Sequence, residues 1–116
     1  MTKKSYIELV SWTVEFLDAG VQAELLALPA DMIAKYVRIA ELIEANGPSL
    51  VREPYTKSLG DGLYEIRMSG HDGIARAIYV TARARRVVVV LVFRKKTQKT
   101  PDKILKLAKK RAKEVT

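Results

Sequence analysis

The sequence predicts an α+β domain with a small, mostly antiparallel sheet and helices packed on it. Several segments alternate apolar and polar residues with the period of a strand, and three others repeat apolar residues at helical spacing. Short turn sequences separate the last three predicted strands, which favours antiparallel pairing among them. We expect the order β-α-α-β-β-β-α in a single domain over residues 1–116.

The first predicted strand and first helix are separated by Gly20. In the strand, Trp12, Val14 and Phe16 alternate with polar residues, as in a half-buried strand. A short helix follows, and Pro29 closes it because proline cannot continue a helix. Its apolar positions are Val21, Leu25 and Leu28.

A second helix is predicted between Pro29 and Gly47, forming a hairpin with the first. Its charged residues point away from an apolar face. We expect that face to contain Ile33, Tyr36, Val37, Ala40 and Ile43. The sequence Asn46-Gly47-Pro48 ends the helix, since glycine adopts the left-handed conformation and proline stops the helical pattern.

Residues 48–62 are expected to be irregular, and two alternating strands follow. Over 63–68, Leu63, Glu65 and Arg67 lie on one face. Over 74–81, one face carries Ile74, Arg76, Ile78 and Val80. The segment 69–73 is rich in turn residues and predicts a five-residue hairpin loop. If Met68 pairs with Ile74, then Arg67 lies about two positions out of register with Arg76.

The C-terminal half ends in a central strand and a basic helix. After a basic turn at 83–86, residues 87–93 are continuously apolar, as in a strand covered on both faces. A helix is predicted from about Pro101 to Glu114, with Thr100 as N-cap and Pro101 in the first helical position. Ile104, Leu105, Ala108 and Ala112 should pack on the sheet, which leaves Lys103, Lys106, Lys109, Lys110 and Lys113 outside.

The composition excludes several classes of site. The 116 residues contain no cysteine, which excludes disulfides, thiolate metal sites and cysteine nucleophiles. With a single histidine, His71, a histidine-rich metal site is impossible and a Ser-His-Asp triad is poorly supported. The longest apolar run is far shorter than the roughly 18 residues of a membrane span. We therefore expect a cytoplasmic protein.

Positive charge is concentrated in the second half of the chain. The net charge is +8, but residues 1–58 hold six Lys/Arg against eight Asp/Glu, whereas residues 59–116 hold 15 against five. The two halves thus carry −2 and +10. Such a basic half attracts polyanions such as RNA, DNA or an acidic protein, although a basic surface also serves solubility.

The cations on the predicted strands are the strongest site candidates. Arg67 and Arg76 share a hairpin, Lys57 precedes it, and Arg94, Lys95 and Lys96 follow the central strand. A sheet face with arginine and lysine suits a phosphodiester backbone. The alternative is that the two arginines pair with Glu65, Asp72 or an acidic helix. Histidine is a residue type suited to acid–base chemistry, but the glycine-flanked loop of His71 is typical of an exposed turn. Trp12, Tyr64 and Tyr79 are candidates for stacking on bases.

Three motifs in order give the sequence a family resemblance. They are Lys-Ser-Leu-Gly-Asp-Gly-Leu-Tyr-Glu-Ile-Arg at 57–67, Arg-Ala-Ile-Tyr at 76–79 and Phe-Arg-Lys-Lys-Thr-Gln-Lys-Thr-Pro at 93–101. Together with the strand at 12–18 and the Leu28-Pro29 junction, they resemble the phage-derived, HigB-like branch of the RelE/HigB toxin superfamily. The resemblance covers about Trp12 to Arg111 and implies the compact α+β fold of that superfamily.

The resemblance implies a toxin of a type II toxin–antitoxin system that cleaves mRNA on the translating ribosome and so inhibits translation. The RNA 2′-hydroxyl attacks the adjacent phosphate, and neither a metal nor another cofactor is implied. The implied partners are the mRNA on the ribosome and a cognate antitoxin with a helix-turn-helix domain. A non-cleaving RNA- or protein-binding module and a same-fold inhibitor of DNA gyrase are the alternatives.

Site residues follow from the same resemblance. Arg76 matches the arginine that holds the scissile phosphate, and Arg67, Lys57 and Lys95 or Lys96 match further catalytic cations. A lysine crowded by other cations has a lowered pKa and is a candidate general base. The implied RNA-binding residues are Arg94, Lys99, Tyr79 and Lys103. The sequence departs from relatives that use a late tyrosine or histidine, since neither follows Tyr79, and it has Glu65 where some relatives are basic. The acid is then Lys95, Lys96 or His71.

Overall fold

The computed structural model describes residues 11–96 and 99–116. In these residues the chain forms five strands and three α-helices. The strands are β1 (Thr13–Phe16), β2 (Thr56–Gly60), β3 (Leu63–Gly70), β4 (Gly73–Ala82) and β5 (Arg86–Lys95). The helices are α1 (Ala19–Leu26), α2 (Ala30–Asn46) and α3 (Asp102–Ala112), with a 3₁₀ turn at Pro48–Leu50. The predicted α+β class is confirmed.

The strands form one mixed sheet in the order β1-β5-β4-β3-β2. Strand β1 runs parallel to β5, and the other neighbouring pairs are antiparallel. Strand β2 lies inside the segment 48–62, which we expected to be irregular. The sequence of β2, Thr-Lys-Ser-Leu-Gly, has no alternation of apolar and polar residues. The reason is that β2 is an edge strand in which only Thr56 is buried, so the strand could not be predicted from hydrophobicity.

The hairpin between β3 and β4 is tighter than expected. The ladder continues to the pair Gly70 and Gly73, which leaves a two-residue turn rather than a five-residue loop. Met68 therefore pairs with Ala75, and Arg67 lies directly opposite Arg76. The predicted offset of two positions is wrong. The tighter turn brings the two arginines level with each other on neighbouring strands.

Helices cover both faces of the sheet. Helices α1 and α2 pack on one face with Ile66, Met68 and Tyr79 beneath them, and α3 packs on the other over Leu63, Ile78 and Val90. The predicted inner face of α3, namely Ile104, Leu105, Ala108 and Ala112, is confirmed. The described residues include no helix with the length and apolar character that a bilayer crossing needs.

The inner face of α2 matches the prediction in part, since Tyr36 and Ile43 are buried and Ile33 and Ala40 pack at its margin. Its buried residues are Met32, Tyr36, Ile39 and Ile43. Val37, which we placed on this face, is 45% exposed. The buried set follows the spacing i, i+4, i+7, i+11, and a residue directly after Tyr36 is turned by about 100° from it. Several apolar residues outside this stripe made the face ambiguous in the sequence.

Helix α3 begins one residue later than predicted. Pro101 is the N-cap residue and lies outside the helix, and its side chain makes no capping hydrogen bond. Thr100, which we expected as the N-cap, is instead buried beside the sheet, where its hydroxyl faces the Glu65 carboxylate. The start of α3 is thereby placed against the charged side chains described next.

Candidate functional site

Five charged side chains meet on the α3-facing side of the sheet. The ladder pairs Lys57 with Glu65, places Arg67 opposite Arg76, and brings Lys95 to the neighbouring level of β5. Because side chains alternate between the faces of a strand, these positions share one face. We call Lys57, Glu65, Arg67, Arg76 and Lys95 the charge cluster.

Glu65 is the negative centre of the charge cluster. Its side chain is 2% exposed. Its Oε1 lies 3.5 Å from Arg76 Nε and 4.0 Å from Arg67 Nε. The Thr100 hydroxyl lies 3.5 Å from Oε2, at the limit of a hydrogen bond. The carboxylate therefore has two guanidinium groups near one oxygen and a hydroxyl near the other.

Arg76 is the most enclosed cation of the cluster. It is 4% exposed, and one terminal nitrogen donates a hydrogen bond to the Ala75 carbonyl at 2.9 Å. Its Nε is buried without a hydrogen-bond acceptor among the described residues. Burial lowers the pKa of Arg76 and the Glu65 carboxylate opposes this shift, so the guanidinium remains charged.

Arg67 is more accessible than Arg76. Its side chain is half-buried, and its terminal nitrogen lies 3.8 Å from the exposed carboxylate of Glu53. The predicted alternative, that the two arginines pair with carboxylates, holds for Glu65. Asp72 is instead contacted by Arg94, which donates a hydrogen bond to the Asp72 backbone carbonyl at 2.8 Å.

A pocket of about 280 Å³ opens over the charge cluster. Its walls are Lys57, Ser58, Leu59, Glu65, Arg67, Lys95, Lys99, Thr100 and Leu105. There are two larger clefts. One of about 560 Å³ lies beside Trp12 and Ala112, and one of about 540 Å³ lies beside Lys35 and Arg38 and is also lined by Arg67. We favour the smaller pocket because buried and charge-perturbed groups converge there, which is typical of functional sites.

Lys95 has an altered acidity in this pocket. Desolvation by burial lowers its pKa, and the positive charges of Arg76, Arg67 and Lys57 lower it further. The Glu65 carboxylate acts in the opposite direction. Because both burial and neighbouring cations disfavour the ammonium form, the neutral amine of Lys95 is more accessible than that of an ordinary lysine.

The other predicted site residues lie at different distances from the charge cluster. Lys99 lines the pocket, and Lys103 is exposed in the first turn of α3. Lys96 is exposed just beyond β5. Arg94 pairs with Ala75, so it lies on the opposite face from Arg76 and Lys95.

Tyr79 does not lie on an accessible surface. It is 1% exposed and belongs to the core beneath α1 and α2. Its ring stacks on Tyr64, with centroids 5.5 Å apart. Burial raises the pKa of Tyr79 to about 12. Our prediction that Tyr79 contacts RNA therefore does not match its position in the fold.

His71 lies in the two-residue turn between β3 and β4. It is exposed, as the glycine-flanked sequence predicted. Its backbone N–H donates to Asp31 Oδ2 at 2.6 Å, which ties the turn to α2. This hydrogen bond lowers the pKa of Asp31. The imidazole lies at the same end of the sheet as Lys95, because the Gly70–Gly73 pair directly follows the level of Ile74 and Lys95.

The position of Thr100 in the pocket was not predicted. A threonine before Pro-Asp-Lys-Ile is typical of a helix N-cap, and only the position of α3 on the sheet shows its contact with Glu65. Ser58 was missed with its strand β2. The part of the site that the sequence did predict is the shared face of Glu65 and Arg67, which follows from the alternation of apolar and polar residues in β3.

The charge cluster has the chemistry of an anion site. The guanidinium group of Arg67 offers forked hydrogen bonds to phosphate oxygens, and the ammonium groups of Lys57 and Lys95 offer compact positive charge. The buried Arg76 adds a further positive charge behind the pocket. Four cations against the single carboxylate of Glu65 leave a net positive pocket. A lysine with a lowered pKa supplies a group that exchanges protons.

Comparison with known proteins places the chain in a family. Residues 23–113 match the model of the family described as phage-derived protein Gp49-like. No curated protein sequence is similar enough to count as a relative.

Two solved structures share the fold. A mutant of the Escherichia coli toxin RelE in the free state superposes with a TM-score of 0.63 at 14% identity, over 88% of this chain and 98% of that chain. The RelE–RelB complex from Pyrococcus horikoshii OT3 gives 0.52 at 16% identity, over 73% and 96%. At these identities the structures show the fold. The chain therefore belongs to the phage-derived Gp49-like family, and its fold is that of the RelE-like superfamily which its motifs resemble.

Proposed function

We propose that this protein is the toxin of a type II toxin–antitoxin system and that it cleaves mRNA on the translating ribosome. The observation that carries the proposal is the charge cluster, in which Lys57, Arg67 and Lys95 line one pocket on a RelE-like sheet. Arg76 is buried beside Glu65, directly opposite Arg67 in the ladder. The family and the fold support a toxin. The cluster supports a phosphodiester as the group that it binds.

The proposed reaction begins with the 2′-hydroxyl of the RNA. A base removes its proton, a bond forms between the 2′-oxygen and the adjacent phosphorus, and the bond from phosphorus to the 5′-oxygen breaks. The products are a 2′,3′-cyclic phosphate and a 5′-hydroxyl end. Since the nucleophile belongs to the RNA, the proposed mechanism uses no metal.

The residues divide this work between charge stabilisation and proton transfer. Arg76 and Arg67 stabilise the extra negative charge of the five-coordinate phosphorus, with Lys57 as a further positive charge. We assign the base to Lys95, because its lowered pKa increases the neutral form that accepts a proton. The leaving 5′-oxygen receives its proton from Lys96 or His71, which lie at the same end of the sheet as Lys95.

We also propose a cytoplasmic site of action and neutralisation by a cognate antitoxin with a helix-turn-helix domain. The RelE–RelB complex of Pyrococcus horikoshii supports an antitoxin partner for this fold. Phage origin of the family is consistent with a toxin carried by a prophage.

The test is primer extension on a reporter mRNA after brief induction of this protein alone. New 5′ ends within the translated region, together with growth arrest, support the nuclease. Arg67→Gln should abolish both, and Arg38→Gln, which removes an exposed cation from α2 outside the charge cluster, should leave both unchanged. Arg67 is preferred to the buried Arg76 because its half-buried side chain tolerates substitution.

The outcomes separate the alternatives. Arrest without new ends would exclude cleavage and favour a non-cleaving RNA- or protein-binding inhibitor, or, with induced DNA damage, a gyrase inhibitor. Cleavage that survives Arg67→Gln would exclude the assigned site. Circular dichroism of each purified variant verifies that the fold is retained.

A further inference from the structure

The outer surface of α3 carries a row of lysines that the charge cluster does not use. They are Lys103, Lys106, Lys110 and Lys113, which we call the lysine stripe. At 3.6 residues per turn, these positions fall within an arc of about 80°, and they extend over about 15 Å along the helix. The opposite side of α3 packs on the sheet through Ile104 and Ala108. The stripe therefore faces solvent along the whole helix.

The lysine stripe is not neutralised by neighbouring carboxylates. Within residues 11–96 and 99–116, none of the four lysines takes part in an ion pair. The nearby Lys109 differs, because its Nζ lies 2.9 Å from Asp61 Oδ2. Arg111, on another side of the helix, pairs with Glu24 at 3.0 Å. Lys109 and Arg111, which form ion pairs, thus lie beside the lysine stripe, whereas the four lysines of the stripe form none with the described residues.

The stripe continues from the wall of the pocket. Lys99 and Thr100 line the pocket over the charge cluster, and Leu105 from the first turns of α3 completes that wall. Lys103 and Lys106 flank Leu105 in sequence and project to the outside. The lysine stripe therefore begins beside this wall of the pocket, where the exposed Asp102 is the acidic residue in the first turn of α3.

The composition of this surface favours a phosphate backbone over a protein helix. Protein interfaces have an apolar centre, but Leu107, at 39% exposed, is the single large apolar side chain of α3 among the exposed ones in the described part of the chain. Contacts to a nucleic-acid backbone need only spaced cations. The continuity with the pocket favours the substrate strand itself.

We propose that the lysine stripe binds the phosphates of the single-stranded RNA that flanks the cleavage position. This inference rests on the proposed function for the identity of the strand. The lysine stripe binds RNA but takes no part in the bond-breaking step. It therefore affects the affinity for a longer RNA strand and the direction in which that strand leaves the pocket. The reacting phosphate is held by the charge cluster.

The test measures binding without cleavage. The probes are fluorescein-labelled 2′-O-methyl oligonucleotides of three and twelve nucleotides, which lack the free hydroxyl needed for attack. Fluorescence anisotropy is recorded over a range of salt concentrations. Each phosphate contact on a single strand contributes about −0.7 to the slope of log K against log salt. The double variant Lys106→Gln/Lys110→Gln should therefore reduce the slope for the twelve-nucleotide probe by about 1.4, and leave the three-nucleotide probe unchanged.

A matched control removes two cations from the other side of the sheet. Lys35→Gln/Arg38→Gln changes the net charge equally on α2, and glutamine has a helix propensity close to that of lysine and arginine. This control should bind the long probe with nearly the wild-type slope. Thermal unfolding of both variants verifies that α3 and α2 stay folded.

Three results would overturn the inference. They are an unchanged slope in the α3 variant, an equal loss in both variants, and equal slopes for the short and long probes with wild-type protein. An unchanged slope would leave an acidic protein as the partner of the stripe. Failure of the proposed function is detected by a different experiment, the primer extension assay for mRNA cleavage. Absence of cleavage by the wild-type protein in that assay does not affect this binding measurement.

Discussion

Glu65 Oε1 lies 3.5 Å from Arg76 Nε, and both side chains are buried in a cluster that otherwise carries only positive charge. Without this carboxylate, the buried guanidinium of Arg76 would lie beside Arg67 and Lys95 with no opposing charge. The position of Glu65 follows from the ladder, in which it pairs with Lys57 on one side and Ile78 on the other. Glu65 therefore stabilises the arrangement that the cations need.

The first prediction is that Glu65→Gln destabilises the fold. The glutamine keeps the shape but removes the charge, which leaves Arg76 buried and unpaired. Removing one partner of a buried ion pair costs about 3 kcal/mol or more. Urea denaturation should show this loss in the free energy of unfolding at neutral pH.

Glu53→Gln is the matched control for this loss. Glu53 also approaches an arginine, Arg67, at 3.8 Å, but its side chain is 66% exposed. Exposed pairs contribute about 1 kcal/mol or less. Equal losses in the two variants would mean that Glu65 has no special role in balancing Arg76.

The strand alternation in the sequence predicted part of the face of the site. A period of two fixes which side chains share a face within one strand. Glu65 and Arg67 were thus placed on one face of their strand and Arg76 on one face of the next, but only the register of the two strands shows that these faces are the same. The same alternation assigns Tyr79 to the opposite face from Arg76, a consequence that our RNA-binding prediction for Tyr79 overlooked.

Other features depend on contacts between distant parts of the chain. The register of Arg67 and Arg76 is set by the length of the turn at His71, and Gly70 allows the ladder to extend into that turn. Strand β2 is stabilised by its pairing with β3 and not by its own apolar residues. The contact of Thr100 with Glu65 requires α3 to be docked on the sheet. No local pattern contains this information.

The second prediction concerns the close approach of Gly70 to α2. A Cβ at Gly70 would lie 2.7 Å from both carboxylate oxygens of Asp31. Gly70→Ala must therefore displace Asp31, which accepts the hydrogen bond from the His71 backbone N–H. We expect a loss of about 1–3 kcal/mol in the free energy of unfolding, as for an overpacked site.

A double-mutant cycle tests this cause. In an Asp31→Ala background the oxygens are gone, so Gly70→Ala should cost clearly less than in the wild type. An unchanged cost in that background would show that the alanine acts through the backbone and not through Asp31. Chemical denaturation of all four proteins supplies the cycle.

The third prediction uses Tyr79 to test which face of the sheet meets RNA. The Tyr79 ring is enclosed beneath α1 and α2 and stacks on Tyr64, so Tyr79→Phe should not change mRNA cleavage. Tyr79→Leu removes the stacked ring, and we expect it to lower stability. Burial raises the pKa of Tyr79 to about 12 and also raises that of Tyr36, so an ultraviolet titration should show fewer late-ionising phenols in Tyr79→Phe than in the wild type. A strong loss of cleavage in a stable Tyr79→Phe protein would instead return this residue to the RNA site.

The last prediction is that two substitutions move the pH dependence of cleavage in opposite directions. If the neutral amine of Lys95 is the base, kcat/KM rises with pH and levels off above the pKa of Lys95. Burial, Arg76, Arg67 and Lys57 lower that pKa, and Glu65 raises it. Lys57→Gln removes a cation, so the pKa of Lys95 should rise and the ascending limb should move to higher pH. Glu65→Gln removes an anion, so the limb should move to lower pH.

The position of the limb separates this electrostatic effect from a general loss of activity. Both variants lose rate, because each alters the charge cluster, but a merely structural defect lowers the height of the profile without moving its midpoint. Lys35→Gln, on the opposite side of the sheet, should leave the midpoint where the wild type has it. Single-turnover cleavage on programmed ribosomes, over the pH range in which the ribosomes stay intact, gives the profiles. Midpoints that move in the same direction in both variants, or in neither, would exclude Lys95 as the base and leave Lys57 as the lysine of the pocket to examine in that role.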